Sequence, residues 1–344
     1  MASLEHIRSS NSKISTTLRP GLVAVFAGAT SGIGESALRQ FAKNAIKPRI
    51  YFLGRSKQSG DRVRAELKKL NPDGEYIFIS VDVSLLRSVD DVCRQIKEKE
   101  TAINLLFLST GTMISGQDTE EGLNYATAVA YFARLRFTVN LLPQLQKATD
   151  LRRVVSVMAG TKEGPINMDD LDGRTTNMFT PSGRGHFCSM MTLSLEAIAK
   201  TAPSVSFVHD YPGFVKTNIG NDVKGLTFAI MKAIWEAVTL VIGPFLATPF
   251  DEAGERQLFF ATSGRFPGGG DGSAAGVPVP EGVKVAQGTD GNLASGVYSI
   301  TNHAETAPVK VDQLLEKFRK DGTAQKVWAQ VQKEFIRITG VASM

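Results

Sequence analysis

Short apolar runs alternate with longer amphipathic stretches along most of the chain. After the run LVAVFAG at 22–28, Ile33, Ala37 and Phe41 repeat with the spacing of one helix face. Strands that alternate with helices pair in parallel through right-handed crossovers, so the pattern predicts an α/β fold with a doubly wound parallel sheet. The runs expected to form its strands are 22–28, 49–54, 76–82, 103–109, 153–159, 204–210 and 296–300.

The rest of the pattern predicts one domain with a helical extension at its C-terminal end. The segment 265–282 is rich in Gly, Pro and Ser and predicts an ordered or mobile surface loop. It is not predicted to be a domain linker, because too little chain follows it to form a second core. Residues 309–339 predict two amphipathic helices that separate at Asp321–Gly322. We therefore divide the chain into an N-terminal segment (1–20), a core (21–220) and an extension of the same domain (221–344).

The most apolar stretch of the chain is GLTFAIMKAIWEAVTLVIGPFLATPF at 225–250. Lys232, Glu236 and the Gly243–Pro244 pair interrupt it, so it lacks the ~20 consecutive apolar residues of a membrane span. It predicts a helix that covers a substrate cleft, with association with a membrane surface as the alternative.

Composition narrows the classes of function. Lys and Arg number 39 against 34 Asp and Glu, for a net charge of +5, and the basic residues are scattered, so we expect no nucleic-acid partner. The two cysteines, Cys93 and Cys188, lack metal-ligand spacing and predict neither a metal site nor a disulfide framework. The N-terminus has no apolar signal-peptide core. Together these features predict a cytoplasmic protein.

The turn after the first run, AGATSGIGES, carries glycines at Gly28, Gly32 and Gly34. Glycine permits a tight turn and lets backbone N–H groups approach a pyrophosphate at the positive end of the following helix. The turn therefore predicts a dinucleotide site that includes the intervening residues Thr30, Ser31 and Ile33. An ordinary turn is the alternative.

The second run ends in FLGRS, which places Arg55 and Ser56 at a strand end. A carboxylate at this position would bind the ribose hydroxyls of NAD, whereas an arginine suits a 2′-phosphate. The cofactor expected from these residues is NADP(H). The alternative is a surface arginine without a ligand.

At residues 20–220 the sequence resembles the short-chain dehydrogenase/reductase family, whose fold is Rossmann-like. VDVS resembles the family's adenine-binding segment and implies roles for Asp82 and Val83. STG resembles the family's Asn-Ala-Gly motif, of which it retains only Gly111. YPGFVKT resembles the segment in which Val215 and Thr217 would hold the nicotinamide. The C-terminal part resembles fungal members from secondary-metabolite pathways.

The resemblance breaks down at the family's catalytic asparagine, serine, tyrosine and lysine. The corresponding positions are Ala130, Ala159, His186 and Met190, so none of the four has the family's catalytic residue. His186 is the one titratable candidate for a substituted proton donor, because histidine titrates near neutrality. A packing or capping role is the alternative for this histidine.

Five other residues lie near these motifs, and for three of them two interpretations stay open. Arg134 faces either the site or the surface, and the turn with Lys162 and Glu163 is either solvated or in contact with substrate. Cys188 and His209 are predicted to be structural, because no base–nucleophile pair can be assigned around the cysteine.

These expectations define a function and its alternatives. The sequence predicts an NADP(H)-dependent oxidoreductase that acts on a small hydrophobic metabolite with atypical catalytic residues. The alternatives are a non-redox isomerase or cyclase and a cofactor-binding pseudoenzyme. The expected partners are the substrate and a second copy of the chain, without stable insertion into a membrane.

Overall fold

The computed structural model describes residues 2–217, 247–270 and 272–344. In these ranges, parallel strands form one sheet in the order β3-β2-β1-β4-β5-β6-β7. This arrangement confirms the predicted doubly wound fold, including the late strand at its edge. The strands are β1 (Val23–Ala27), β2 (Arg49–Gly54), β3 (Glu75–Ser80), β4 (Leu105–Leu108), β5 (Arg153–Val157), β6 (Ser206–Asp210) and β7 (Val297–Ile300).

Helices connect the strands and cover both faces of the sheet. A π-helical turn at Ala128–Phe132 joins α6 to α7. The helices are α1 (Leu4–Ser12), α2 (Ile14–Thr17), α3 (Gly32–Asn44), α4 (Lys57–Leu70), α5 (Leu86–Lys97), α6 (Tyr125–Thr127), α7 (Ala133–Lys147), α8 (Pro181–Ala199), α9 (Phe250–Thr262), α10 (Val309–Lys320) and α11 (Thr323–Thr339).

The two faces of the sheet enter two hydrophobic cores, because successive strand side chains point in opposite directions. Val25 of β1 packs in the core that includes residues of α5, α7, α8 and α11. Its neighbour Phe26 packs in the core that includes residues of α1, α3 and α9. Burial on both faces explains why the strand runs are continuously apolar.

The last two helices of the C-terminal extension contribute residues to the hydrophobic clusters of this fold. The two predicted helices of 309–339 are confirmed as α10 and α11, and Gly322 between them adopts a left-handed conformation with φ of 80°. Arg136 of α7 is fully buried and donates hydrogen bonds to Asp90 at 2.6 and 2.7 Å and to the carbonyls of Val341 and Ala342. This arginine ties the core to the end of the chain.

The predicted surface loop at 265–282 is partly buried. Phe266 is fully buried, and a Cβ added to Gly268 would lie 2.5 Å from the carbonyl oxygen of Ser204. The start of the segment therefore packs closely against the chain that leads into β6, and its glycines permit this approach. The prediction of a surface loop is wrong for this part.

The predicted lid at 225–250 falls mainly on residues 218–246, outside the described ranges. No helix in the ranges that the structure covers is both long and apolar enough to cross a membrane.

Candidate functional site

A cavity of about 370 Å³ opens at the carboxyl ends of the strands. It lies where β1 has β2 on one side and β4 on the other, which is the usual ligand position in such sheets. We call it the main cavity. The residues predicted for the cofactor that line it are Gly28, Thr30, Ser31, Gly32, Ile33, Gly34, Arg55, Asp82, Val83, Gly111 and Thr217.

Two predicted cofactor residues do not line this cavity. The hydroxyl of Ser56 accepts a hydrogen bond from the backbone N–H of Ser59 at 3.2 Å and thereby caps α4. Val215 is half-buried and lies outside the lining, although Thr217 of the same segment is part of it. The structure therefore gives Ser56 a capping role and separates the two residues of the YPGFVKT segment.

The glycine turn brings β1 against the end of β4. Gly28 has a φ of 85°, which favours glycine, and a Cβ at this position would lie 2.7 Å from the backbone nitrogen of Thr110. The Ser109 hydroxyl donates to the Gly28 carbonyl at 3.1 Å. The turn therefore packs against the residues that follow β4, and its glycines line the main cavity.

The N-terminus of α3 lines the main cavity. Ser31 is its N-cap residue, and within the described chain its side chain makes no capping hydrogen bond. The first N–H groups of the helix therefore remain available for an anion, which the helix dipole also favours. These features fit the pyrophosphate of a dinucleotide.

The carboxylate of Glu35 lies in the first turn of α3 but is neutralised by two arginines. Arg62 and Arg39 donate to it at 2.7 and 2.9 Å. Burial raises the pKa of Glu35, but the hydrogen bonds from the two guanidinium groups outweigh this effect and lower the pKa overall. The paired charge leaves the helix end suited to an anion.

Arg55 is exposed at the mouth of the main cavity, beyond β2. One of its terminal nitrogens donates to the hydroxyl of Tyr125 at 3.2 Å. Tyr125 also lines the cavity, and no sequence signal marks it, because it belongs to no glycine or strand-end motif. The contact orients the guanidinium beside the cavity.

The opposite end of the cavity is mainly apolar. Ala130 of the π-helical turn lines it, as do Met158 beyond β5 and Met178 and Phe179 before α8. Of the four family positions without their usual residue, Ala130 alone lines the cavity. Ala159 and Met190 are buried elsewhere, with Met190 in a hydrophobic core.

Arg134 supplies the charge at this apolar end. It is buried and donates to the Val157 carbonyl at 2.7 Å and the Ser156 hydroxyl at 3.0 Å, as well as to the Thr110 carbonyl. Burial lowers the pKa of Arg134 to about 10, so the group is still protonated at neutral pH. The surface alternative for Arg134 is therefore wrong.

His186 lies outside the main cavity. It is buried, its Nδ1 accepts a hydrogen bond from the backbone N–H of Asn167 at 3.0 Å, and its ring packs edge-on against Phe187 at 4.7 Å. Burial lowers the pKa of His186 and so favours the neutral ring. This placement argues against a proton-donor role in the cavity and favours the packing alternative.

A buried polar network lies beyond the end of β5. The Thr192 hydroxyl is 2.8 Å from both Glu163 and Nδ1 of His209, and the Ser299 hydroxyl donates to Glu163 at 2.6 Å. Burial lowers the pKa of His209 to about 3 and raises that of Cys188 well above its usual value. Both residues are therefore held neutral as structural groups. The solvated alternative is wrong for Glu163, which is buried.

Comparisons with known proteins find a matching family model and similar chains. A family model described as short chain dehydrogenase matches residues 22–167. The chain is 37% identical over 345 residues to the oxidoreductase andH of Emericella variicolor, with 99% of each chain covered. It is 28% identical to the short-chain dehydrogenase/reductase SAT2 of Stachybotrys chartarum, over 89% of this chain and 90% of that protein.

Solved structures share the fold. The NADP active-site complex of Pseudomonas aeruginosa RhlG matches with a TM-score of 0.54 at 14% identity, over 78% of this chain and 98% of that one. At this identity the likeness concerns the fold alone.

Proposed function

The chain belongs to the short-chain dehydrogenase family of oxidoreductases, and we propose that it uses NADP(H) to reduce or oxidise a small hydrophobic metabolite. The observation that carries this proposal is a cavity lined both by the glycine turn at the start of α3 and by apolar side chains such as Ala130, Met158 and Phe179. The resemblance to fungal members of secondary-metabolite pathways supports a substrate from that class.

The residues of the main cavity fit each part of the dinucleotide. The backbone of the glycine turn and the uncapped end of α3 would hold the pyrophosphate. Arg55 would bind the 2′-phosphate, and Asp82 and Val83 would contact the adenine. Gly111 and Thr217 line the same cavity and would adjoin the nicotinamide part.

The apolar end limits the chemistry that the chain can assist. NADP(H) supplies or accepts a hydride when it is bound. Among the described residues at this end, Arg134 is the only charged group, and its donors are directed at the ends of β4 and β5. A protonated guanidinium stabilises developing negative charge but does not serve as a proton donor at neutral pH.

This arrangement favours substrates that accept a hydride without protonation by a side chain. An iminium ion becomes a neutral amine, and a conjugated enone becomes an enolate that takes its proton from water. Ala130, Met158 and Phe179 would hold such substrates by apolar contact, so orientation supplies the rate acceleration.

The same apolar end favours a second candidate function. Among the described residues this end has no positioned acid, which also suits a pseudoenzyme in which the dinucleotide has a binding role only, or an isomerase or cyclase that acts by orienting its substrate. Consumption of NADPH distinguishes the redox proposal from this alternative.

Calorimetric titration of NADPH and NADH tests the cofactor assignment. We expect wild type to bind NADPH more tightly, and Arg55→Ala to weaken NADPH by about 10–100-fold with little effect on NADH. A hydrogen bond to a charged group contributes about 1.5–3 kcal/mol, which gives this range.

Arg64→Ala is the matched control, because Arg64 is an exposed arginine of α4 outside the main cavity. It should leave both affinities unchanged. Equal affinities of wild type for the two cofactors would overturn the assignment of Arg55.

A further inference from the structure

A second cleft, of about 810 Å³, lies beside the main cavity. Neighbouring stretches of the chain line the two features. Met158 lines the main cavity and Thr161 the cleft, and Phe179 lines the main cavity and Pro181 the cleft. The far wall comes from residues 301–311, which follow β7 and include the first turn of α10. We call this feature the polar cleft.

Three residues that line the polar cleft carry buried polar atoms without a partner in the described chain. These atoms are Oγ1 of Thr161, Oε2 of Glu163 and Nε of Arg265. The residues are 6%, 8% and 7% exposed. An unsatisfied buried polar atom destabilises a protein, so three of them around one cleft indicate groups that a ligand would satisfy.

The charge of the cleft is predominantly positive. Lys162, Arg184 and Lys310 are exposed at its rim, and none of them forms an ion pair with another described residue. Arg265 adds a buried cation, and its two terminal nitrogens already bind the carbonyls of Lys284 and Ala304. The carboxyl groups that line the cleft are Glu163 and Glu305.

Glu163 does not oppose an anion in this cleft. Its Oε1 accepts hydrogen bonds from Thr192 and Ser299 at 2.8 and 2.6 Å, while Oε2 has no partner among the described residues. Burial raises the pKa of Glu163 and favours the neutral acid. A neutral carboxyl group can donate from Oε2.

The backbone around the cleft is strained and dipolar. Thr161 has a φ of 69°, which is unusual for a β-branched residue. Its backbone N–H donates a hydrogen bond to the Ser299 hydroxyl at 2.6 Å. The N-termini of α8 and α10, at Pro181 and Val309, both adjoin the cleft. Their positive dipole ends add to the rim cations.

We propose that the polar cleft binds a small-molecule oxyanion, a carboxylate or a phosphate group, between the rim cations and the unpartnered groups of Thr161 and Arg265. The site is separate from the dinucleotide cavity, and it would take either the acidic end of a substrate or a separate anionic effector. The proposal does not depend on the identity of the cofactor.

Binding of two probes at constant ionic strength tests the proposal. Inorganic phosphate and succinate are titrated calorimetrically into wild type, with and without saturating NADPH. We expect saturable binding of the probe that persists with NADPH, because bound NADPH occupies the glycine turn and leaves the polar cleft open. If NADPH does not bind, its presence should not change the binding of the probe. Preference for succinate indicates a carboxylate ligand, and preference for phosphate indicates a phosphate. Failure of both probes to saturate would overturn the proposal.

Variants locate the bound probe. Arg184→Gln combined with Lys310→Gln should weaken binding by about tenfold or more, because charge-assisted hydrogen bonds are lost. Lys69→Gln combined with Lys326→Gln removes the same charge from exposed helix positions outside the cleft and should leave binding unchanged. An equal loss in both double variants would show non-specific attraction and contradict a defined site.

Thr161→Val separates a ligand role from a structural one. Replacing an unsatisfied hydroxyl with a methyl of similar shape should maintain or raise the melting temperature without ligand. The same change should reduce the rise in melting temperature that the better probe causes. A variant that melts lower than wild type and binds the probe equally well would show that the hydroxyl is structural, and this result would overturn its assignment to the site.

Discussion

His186 is buried between the ring of Phe187 and the backbone of Asn167, and this position determines the effect of its replacement. We predict that His186→Phe leaves the rate per folded molecule and its pH profile unchanged. Stability should fall by about 1 kcal/mol, because the hydrogen bond from Asn167 is lost. Steady-state rates and urea denaturation measure the two effects. A rate loss of ~10²-fold with a changed pH profile would restore the proton-donor hypothesis.

At the scale of single residues, motifs with a backbone role were predictable and catalytic positions were not. The glycine turn and Arg55 are fixed by strand ends, so they line one cavity as expected. His186 corresponds to the family's tyrosine position, but it lies on α8, which begins at Pro181 and buries this side chain. The pair Thr180–Pro181 carries the signal, since Thr180 caps the helix and proline suits its first position.

The end of β6 meets α9 through a buried carboxyl–amide pair. Gln257 donates to Oδ2 of Asp210 at 2.6 Å, while Oδ1 of Asp210 and the side-chain oxygen of Gln257 have no partner within the described ranges. Burial raises the pKa of Asp210 to about 7, against the opposing effects of Gln257 and Arg134. The folded protein therefore keeps a proton that the unfolded chain loses above its ordinary pKa of 3.8.

This pair predicts a pH dependence of stability. The contribution of Asp210 to the free energy of unfolding is fully present below about pH 4. It is lost as the pH rises to about 7, with a slope of up to about 1.4 kcal/mol per pH unit. Asp210→Asn stays neutral, so its stability relative to wild type should increase over this window and then level off. Urea denaturation from pH 4 to pH 8 measures the difference. The opposite effect of His209 is common to both proteins. Parallel pH curves would contradict the raised pKa.

At the scale of elements, strands were predicted within a few residues because apolar runs report burial on both faces. Residues 49–54, for example, coincide with β2. The π-helical turn at 128–132 was not predicted, because an extra residue per turn leaves no mark in an apolar segment such as AVAYF. That turn places Ala130 and Val129 at the cavity.

Across the whole molecule, Arg136 connects α5, α7 and the last residues of the chain. Arg136→Ala leaves Asp90 buried without its cation, so we predict a loss of about 3–5 kcal/mol in the free energy of unfolding. Arg64→Ala breaks an ion pair with Asp61 in which both side chains are about half exposed, and it should cost less than about 1 kcal/mol. Urea denaturation of both variants makes the comparison. Equal losses would contradict an integral C-terminal extension.

The molecule as a whole explains why its chemistry was less predictable than its fold. Sequence spacing pointed to residues of the main cavity, but the polar cleft draws on residues 161–163, 181, 184, 265 and 301–311, which tertiary packing alone brings together. No local pattern marks such a site.

Transfer of deuterium from [4,4-²H₂]NADPH, which is labelled at both hydrogens of the nicotinamide C4, decides whether the chain transfers a hydride. The protein is incubated with hydrophobic conjugated enones and cyclic iminium ions, and the products are analysed by mass spectrometry. Hydride transfer predicts one deuterium per product molecule and one NADPH consumed per turnover, with little turnover of simple ketones that need a proton donor. Products that form without deuterium and without consumption of NADPH would contradict hydride transfer and favour the non-redox alternative.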